Sequence, residues 1–346
     1  MLFQVGDDGY LRIWSLKAHT ELFSVNMAEK ESTTIARSCA YSPDGVFLAV
    51  SFGGSTGKGK SKEDGIIRVY RQDPVSSASS KGNDVVIQKV CEIKEAKQWI
   101  SVVRFSPDGS VLVAGSRDNS IYIYSVTQQF RRKAKFSKHN AGINQLDFSA
   151  DGRYLQSCCS AYEILFCDVN TGAQLTNGAS LLTDGNWQTW TMTLGWPVIG
   201  IWRGDMDGSD INSVDRSPSG KLLASADDFG KVSLFRYPCV KEGAQSCVFT
   251  GHSSHVTCVR WASVNGAKDS PSDDYLLSIG GEDKCVFQWK CVSTGIDGRP
   301  PSKISTSDNS THESSTDSNS LLESAPTGGD EFTAVKVKAV CCWQIT

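Results

Sequence analysis

A short turn recurs four times in this chain and constrains the fold more than any other feature. It reads SPDG at 42–45 and 106–109, SADG at 149–152 and SPSG at 217–220. Proline presets φ at the first central position, aspartate or serine bonds nearby backbone, and glycine tolerates the positive φ that closes the turn. A second, acidic turn leads into a strand that ends on an aromatic. Its copies are DDGYLRIW (7–14), EDGIIRVY (63–70), RDNSIYIY (117–124), DDFGKVSLF (227–235) and EDKCVFQW (282–289). Asp8, Asp64, Asp118 and Asp283 each stand six residues before the closing aromatic, whereas Asp228 stands seven before Phe235, read as one inserted residue. A further copy, SAYEILFCD (160–168), has no aspartate at the turn and closes on Phe166.

The alternation in LRIW, IYIY and VFQW has period two, which means strands, and no stretch carries a helical stripe. The closing aromatics fall at 14, 70, 124, 166, 235 and 289, at intervals of 56, 54, 42, 69 and 54 residues. Units of about 40–45 residues with loop insertions fit four-stranded sheets repeated radially. The fold class is therefore all-β: a β-propeller of about five full blades plus a partial one. The 69-residue interval contains WQTWTMTLGWPVIGIW (187–202), with four of the nine tryptophans. Its surplus over a regular unit predicts a hairpin, TWTMTLG and VIGIW around Gly195-Trp196-Pro197, as an irregular half-blade. Trp190 and Trp202 are expected to be buried, because a large aromatic hides about 150–250 Å².

These units resemble WD repeats. The most typical copy is the last, GHSSHVTCVRWAS (251–263) followed by YLLSIGGEDKCVFQW. The resemblance implies that His252 joins a buried hydrogen-bond network with Asp283, a structural device and not a catalytic dyad. The order of the tryptophan stretch, DDFGKVSLFRYPC (227–239), GHSSHVTCVRW (251–261) and GGEDKCVFQWKC (280–291) is similar to the end of the tandem atypical propeller in the echinoderm microtubule-associated protein-like family. The similarity covers about residues 3–291 and corresponds to roughly the second of that family's two propellers. It implies tubulin or microtubules as partner and a cytoplasmic, cytoskeletal location.

On this reading residues 1–292 form the propeller, 293–331 a Ser/Thr-rich disordered linker, and 332–346 a strand-like tail. The first strands, LFQVGDDGYLRIW, supply only the later part of a repeat. The ring is thus either closed by strand exchange, with EFTAVKVKAVCCWQIT as a closing strand, or incomplete, with that segment an unrelated tail. An open ring would leave strand edges exposed.

Composition excludes several classes. The net charge of −3 gives no basic bias toward nucleic acid. No apolar run approaches the ~18 residues of a membrane span, and the start lacks a signal-peptide pattern. Twelve cysteines lie scattered through strand-like segments with no C-x-x-C, which reads as free buried thiols and not as a zinc site. Gly54–Ser61, GSTGKGKS, matches a phosphate-loop pattern, but a strand follows it where a helix is required, so it reads as a solvated basic loop. DMDGSD (205–210) lacks the glycine position and closing glutamate of a calcium loop. Asn309-Ser310-Thr311 matches a glycosylation acceptor, and phosphorylation fits that tail better. No histidine sits in a nucleophile or metal-ligand motif. The expectation is no catalysis, no cofactor and no metal.

Two features remain for partner binding. The basic run RRKAK (131–135) begins an outer strand and offers Arg131, Arg132, Lys133 and Lys135 to an acidic partner, with Lys58, Lys60 and Lys62 as additions. Trp187 and Trp196 are candidates for rings that reach the surface. The function expected is a non-catalytic interaction module of a microtubule-associated protein. The alternative is a generic WD-repeat adaptor or scaffold recruiting a different protein.

Overall fold

Antiparallel pairing between neighbouring strands accounts for nearly all the regular structure. The computed structural model describes residues 2–16, 18–27, 34–55, 63–73, 86–183, 185–262, 272–293 and 335–344, arranged as two units, Met1–Met192 and Thr193–Thr346. Lys58, Lys60, Lys62, most of the phosphate-loop match, residues 300–320 and Asn309 lie outside the described residues.

The first unit holds four sheets. Strands β1 (Leu2–Val5), β2 (Tyr10–Ser15) and β3 (Thr20–Asn26) form one, and β4 (Thr34–Tyr41), β5 (Phe47–Ser55), β6 (Ile66–Asp73) and β7 (Val86–Lys94) the next. Then come β8 (Ile100–Phe105), β9 (Val111–Ser116), β10 (Ile121–Ser125) and β11 (Arg131–Phe136), and finally β12 (Ile143–Phe148), β13 (Tyr154–Cys159) and β14 (Ile164–Asp168). A single helical turn, α1 (Gly178–Leu181), follows. The second unit opens with a 3₁₀ helix, Trp196–Ile201. Its sheets are β15 (Ile211–Arg216), β16 (Leu222–Asp227), β17 (Lys231–Arg236) and β18 (Cys247–Thr250), then β19 (Val256–Ala262), β20 (Tyr275–Gly280), β21 (Cys285–Ser293) and β22 (Val335–Gln344). Among the described residues four sheets therefore have four strands and two have three. Strand β22 pairs with β21, Val286 opposite Trp343. The C-terminal strand thus completes the sheet of β19–β21; it neither closes the first sheet nor stands apart as a tail.

Each sheet is a meander whose middle strands are covered on both faces. All six residues of β9, VLVAGS, are buried, whereas the outer strand β11, RRKAKF, exposes four of its six. The core lies between successive sheets: Val113, Ile121, Ile123 and Phe136 meet Ile143, Leu146, Phe148 and Leu155. Packing is tight enough to dictate a glycine. A Cβ on Gly115 would stand 2.6 Å from Ile143 Cγ2 and 2.8 Å from Val102 Cγ1. Every cysteine whose side chain is described is a free thiol. Burial pushes those of Cys167 and Cys239 up to about 12.

The recurrent turn has one mechanism. At 42–47 the Ser42 hydroxyl accepts the Phe47 N–H (2.8 Å), Asp44 accepts the Val46 N–H (3.0 Å), and Gly45 takes φ +72°. Ser106 with Asp108 and Ser149 with Asp151 repeat these bonds. The fourth copy has Ser219 where the others have aspartate. It recruits Asp273, which accepts both the Ser219 N–H (2.9 Å) and its hydroxyl (2.5 Å), so a carboxylate still anchors the turn.

Register corrects two sequence readings. Between Ala226 and Val232 lie the same number of turn residues as between Gly115 and Ile121, so the 227–235 copy carries no insertion. Its aspartates simply sit earlier in the turn. In the copy at 160–168, Cys167 pairs with Leu155 as Trp289 pairs with Leu276. The closing position is Cys167, buried at 2% exposure, and Phe166 points to the opposite face.

The predicted hairpin at 187–202 is absent. Only Ser149 and Trp187 form an isolated bridge, and Pro197 starts the 3₁₀ helix. Proline's fixed φ suits a first helical turn as well as a loop, which is why the sequence misleads here.

The turn carboxylates yield a prediction. Asp44 and Asp151 are held below the ordinary aspartate range, first by their serine hydroxyls and then by backbone N–H groups. A depressed carboxylate stabilises the fold above its unfolded pKa, and that stability is lost as pH falls through the folded value, here below about 4. The D44N/D151N variant should be less stable than the parent in urea at pH 7. It should also lose stability less steeply between pH 5 and 3; parallel curves would contradict the assignment.

Candidate interaction surface

The outer strand β11 presents cations because its partner on one side is β10 and its other edge is open to solvent within this sheet. Arg131, Arg132, Lys133 and Lys135 are all exposed. Arg132 pairs with Glu95 at 2.9 Å, Lys133 donates to the Asn170 side chain at 2.6 Å, and the Lys135 ammonium sits 4.9 Å from the Tyr122 ring centroid. Such exposed contacts hold the side chains loosely, each worth about 0–1 kcal/mol, and leave the charges available to a partner. A row of cations on an outer strand also discourages pairing with another sheet.

The tryptophans divide sharply. Trp187 and Trp190 are each 5% exposed and meet edge to face at 6.4 Å, with Phe166 tilted against Trp187 at 6.1 Å. Trp187 is thus core, and its candidacy for partner binding falls. The Trp190 indole donates to Met192 O (3.0 Å), and half-buried Trp202 donates to Thr193 O (3.1 Å). Trp196 is different: it is 64% exposed on the 3₁₀ helix, with Ile199 52% exposed on the same short helix. That helix is locked in place from beneath. Gly200 donates to Cys239 O, and Cys239 N donates to Pro197 O. A Cβ on Gly200 would lie 2.3 Å from Lys241 O.

Buried Asp147 explains why the segment before Met192 is ordered without being a strand. Its carboxylate accepts the Thr189 hydroxyl (2.6 Å), the Thr191 N–H (2.8 Å) and the Thr191 hydroxyl (3.0 Å). Arg104 adds a bond to the same hydroxyl at 2.9 Å. Asp215, at the matching position of β15, accepts the Trp261 N–H of β19 at 2.8 Å. Residues 187–191 therefore occupy, beside β12, the place that an inner strand such as β19 occupies beside β15.

The turn aspartates grip different partners. Asp8 accepts the Tyr10 N–H and pairs with Arg12 at 2.7 Å. Asp64 accepts the Gly54 N–H, and Asp118 accepts the Tyr122 hydroxyl and the Lys97 N–H. Asp228 binds the Asn212 amide, while its neighbour Asp227 accepts the Phe229 and Lys231 N–H groups that close the turn. Asp283 sits in a buried network. His252 Nδ1 lies 2.7 Å from Asp283 Oδ2, His252 Nε2 lies 2.8 Å from Ser278 Oγ, and the Trp289 indole donates to the same Ser278 oxygen at 2.8 Å. Both nitrogens of the imidazole have partners, and Ser278 is fully buried.

A second histidine at the matching place was invisible to motif reading. His139, four residues before Ile143 as His252 is before Val256, bonds Ser157 Oγ through Nε2 at 2.8 Å. The carboxylate near its other nitrogen is Glu163, 3.7 Å away. Burial pushes the His139 imidazole below its ordinary range against the pull of Glu163, and Glu163 is itself held low, first by the Asn140 N–H. The signal that could have found it is the alignment of HNAGINQLDF with HSSHVTCVRW.

The family described as echinoderm microtubule-associated protein second beta-propeller matches residues 1–291. The six sheets are thereby blades of a propeller-type domain. Among relatives, the chain is 38% identical over 290 residues to human echinoderm microtubule-associated protein-like 2, covering 83% of this chain and 39% of that protein. It is 41% identical over 215 residues to mouse echinoderm microtubule-associated protein-like 3, covering 61% of this chain and 23% of the relative. A ciliary WD repeat-containing protein, ctxp80, of Euplotoides octocarinatus is 36% identical over 292 residues, 82% of this chain and 38% of that protein. The chain thus spans well under half the length of these relatives. Among the described residues, no helix is long and apolar enough to cross a membrane.

The contrast between the tryptophans is testable by urea unfolding. Trp190→Ala should cost about 3–5 kcal/mol by removing a buried aromatic, and Trp196→Ala should stay within about 0.5 kcal/mol of the parent. Comparable losses for both would contradict the burial difference.

Proposed function

Since the chain belongs to the echinoderm microtubule-associated protein family through that family's second propeller, we propose that it is a non-catalytic WD-repeat interaction module that binds tubulin or microtubules. The observation that carries this reading is the family match over residues 1–291. The relatives' names state the association with microtubules, and the exposed cations of β11 supply a surface suited to an acidic protein. The mechanism is presentation: stiff sheets hold Arg131, Arg132, Lys133 and Lys135 in a row, and the partner's carboxylates displace weak intramolecular contacts. The proposed place of action is the cytoplasm, at the cytoskeleton.

One exposed apolar surface favours a second reading. Trp196 and Ile199 expose apolar surface where an adaptor would hold an apolar segment of another protein.

Co-sedimentation with polymerised tubulin and pull-down of soluble tubulin test the first reading. Binding should weaken as salt shortens the Debye length toward about 8 Å. The R131E/R132E/K133E variant should bind about tenfold more weakly, given about 0–1 kcal/mol for each exposed charge. No interaction with either form of tubulin at low salt would remove the proposal. Loss of tubulin binding on Trp196→Ala, with the charge variant unaffected, would move it to the second surface.

A further inference from the structure

We propose that His139, Cys159 and Glu163 form a zinc-binding site in the sheet of β12–β14. The three donor atoms lie within 4.8 Å of one another. Cys159 Sγ is 3.3 Å from Glu163 Oε2, and His139 Nδ1 is 3.7 Å from the same oxygen. The His139 side chain is 0% exposed, and its Nδ1 has no hydrogen-bond partner.

Comparison with the sheet of β19–β22 shows what is unusual. There Ile143, Cys159, Ser157 and His139 are matched by Val256, Gly280, Ser278 and His252. His252 uses both nitrogens, one on Ser278 and one on Asp283 at 2.7 Å. Gly280 lies so near Asp283 that an added Cβ would come within 2.0 Å of Oδ1, so no cysteine fits there. Beside β13 the turn is one residue shorter, and the carboxylate is Glu163, which follows the left-handed residue Tyr162 where Asp283 precedes the left-handed Lys284; Glu163 is drawn toward Asn140, whose N–H it accepts at 2.9 Å. The Cys159 thiol lies beside that carboxylate, 3.3 Å from Oε2, and His139 Nδ1 is beyond hydrogen-bond reach of it at 3.7 Å. The Ser157 hydroxyl reaches Leu165 O at 3.3 Å, which leaves its oxygen to accept from Nε2–H; in that tautomer Nδ1 carries a lone pair that faces a carboxylate and a sulfur. Three electron donors converge with one proton, on the thiol, between them.

A divalent cation resolves this arrangement. Zinc takes sulfur at about 2.3 Å, imidazole nitrogen at about 2.0–2.1 Å and carboxylate oxygen at about 2.0–2.2 Å, tetrahedrally. Those lengths place neighbouring donor atoms roughly 3.3–3.7 Å apart, the separations already present for the two pairs that include Glu163. The mixed sulfur, nitrogen and oxygen set disfavours calcium and magnesium, which take oxygen. Ser157 fixes the imidazole tautomer and Asn140 orients Glu163, the supports that metal ligands ordinarily have. Binding releases the Cys159 proton to solvent, Zn²⁺ replacing it on sulfur with no change of oxidation state. Glu163, 28% exposed, lies on the solvent side and leaves a fourth position for water.

The test uses the full chain, reduced and stripped with chelator, titrated with Co²⁺ and then Zn²⁺. One Co²⁺ per chain should bind with a thiolate-to-cobalt charge-transfer band that Zn²⁺ abolishes. Cys159→Ser should remove the band, and Glu163→Gln should weaken Co²⁺ binding at least tenfold, while Cys258→Ser keeps both. Circular dichroism of the metal-free variants reports folding. Independently of any variant, Zn²⁺ should raise the thermal midpoint of the parent. Absence of a thiolate–cobalt band in the folded parent, or its persistence in Cys159→Ser, overturns the site.

Discussion

Burial of the middle strands on both faces is the constraint from which the rest follows. Strands such as β9 and β16 are buried along their whole length, so every polar group at their ends must find a partner inside the protein. Water cannot serve there. The solution is the same at four of the six sheets: a serine hydroxyl accepts an N–H group that the ladder leaves over, with a carboxylate beside it in three of the turns. Where the turn carboxylate is missing, at Ser219, a distant one at Asp273 takes its place. The recurrence of these residues is thus the trace of a hydrogen-bond requirement, and that is why it was legible as a repeat.

Legibility followed the range of the interaction. Turn chemistry and strand alternation are local, so the SPDG turns, the all-β class and the outer placement of β11 could be read directly. Register is not local. Phe166 has the right chemistry for a closing aromatic, yet Cys167 holds that position, since a shift of one residue exchanges the faces of a strand. Asp227 and Asp228 are adjacent in sequence, but only the pairing of Ala226 with Val232 shows which one closes the turn. His139 was unreadable for a related reason: its network depends on Ser157 and Glu163, brought beside it only by folding.

The tryptophan segment shows a different kind of failure. Its alternation and β-branched content suggest strands, but a strand needs a neighbouring ladder. Around Thr191 the ladder is replaced by a side chain: Asp147 takes bonds that a neighbouring backbone would otherwise make. Fixed this way, the chain can leave the sheet plane, bury Trp187 against Phe166 and Trp190 against Trp187, and pass into the 3₁₀ helix. Two of the segment's four tryptophans are therefore packing, one is half-buried, and only Trp196 faces outward. Sequence alone could not divide them, because burial here is set by one carboxylate more than forty residues away.

The two histidine networks show how a repeat acquires individuality at small chemical cost. Both begin with an imidazole bonded through Nε2 to a serine on the second strand. In one, a short aspartate returns to the other nitrogen and the circuit is complete. In the other, the turn is one residue shorter and its carboxylate, Glu163, stands after the left-handed residue instead of before it and bonds Asn140, and the same backbone position that must be Gly280 in the first case is Cys159. The imidazole is left with an unsatisfied nitrogen in a dry setting, a cost that a purely structural copy has no reason to retain. A complete network stiffens its blade and nothing more. An incomplete one that gathers a thiol and a carboxylate around the vacant nitrogen has the composition of a ligand set. The difference between those outcomes is the length of the turn and the place in it where the carboxylate stands.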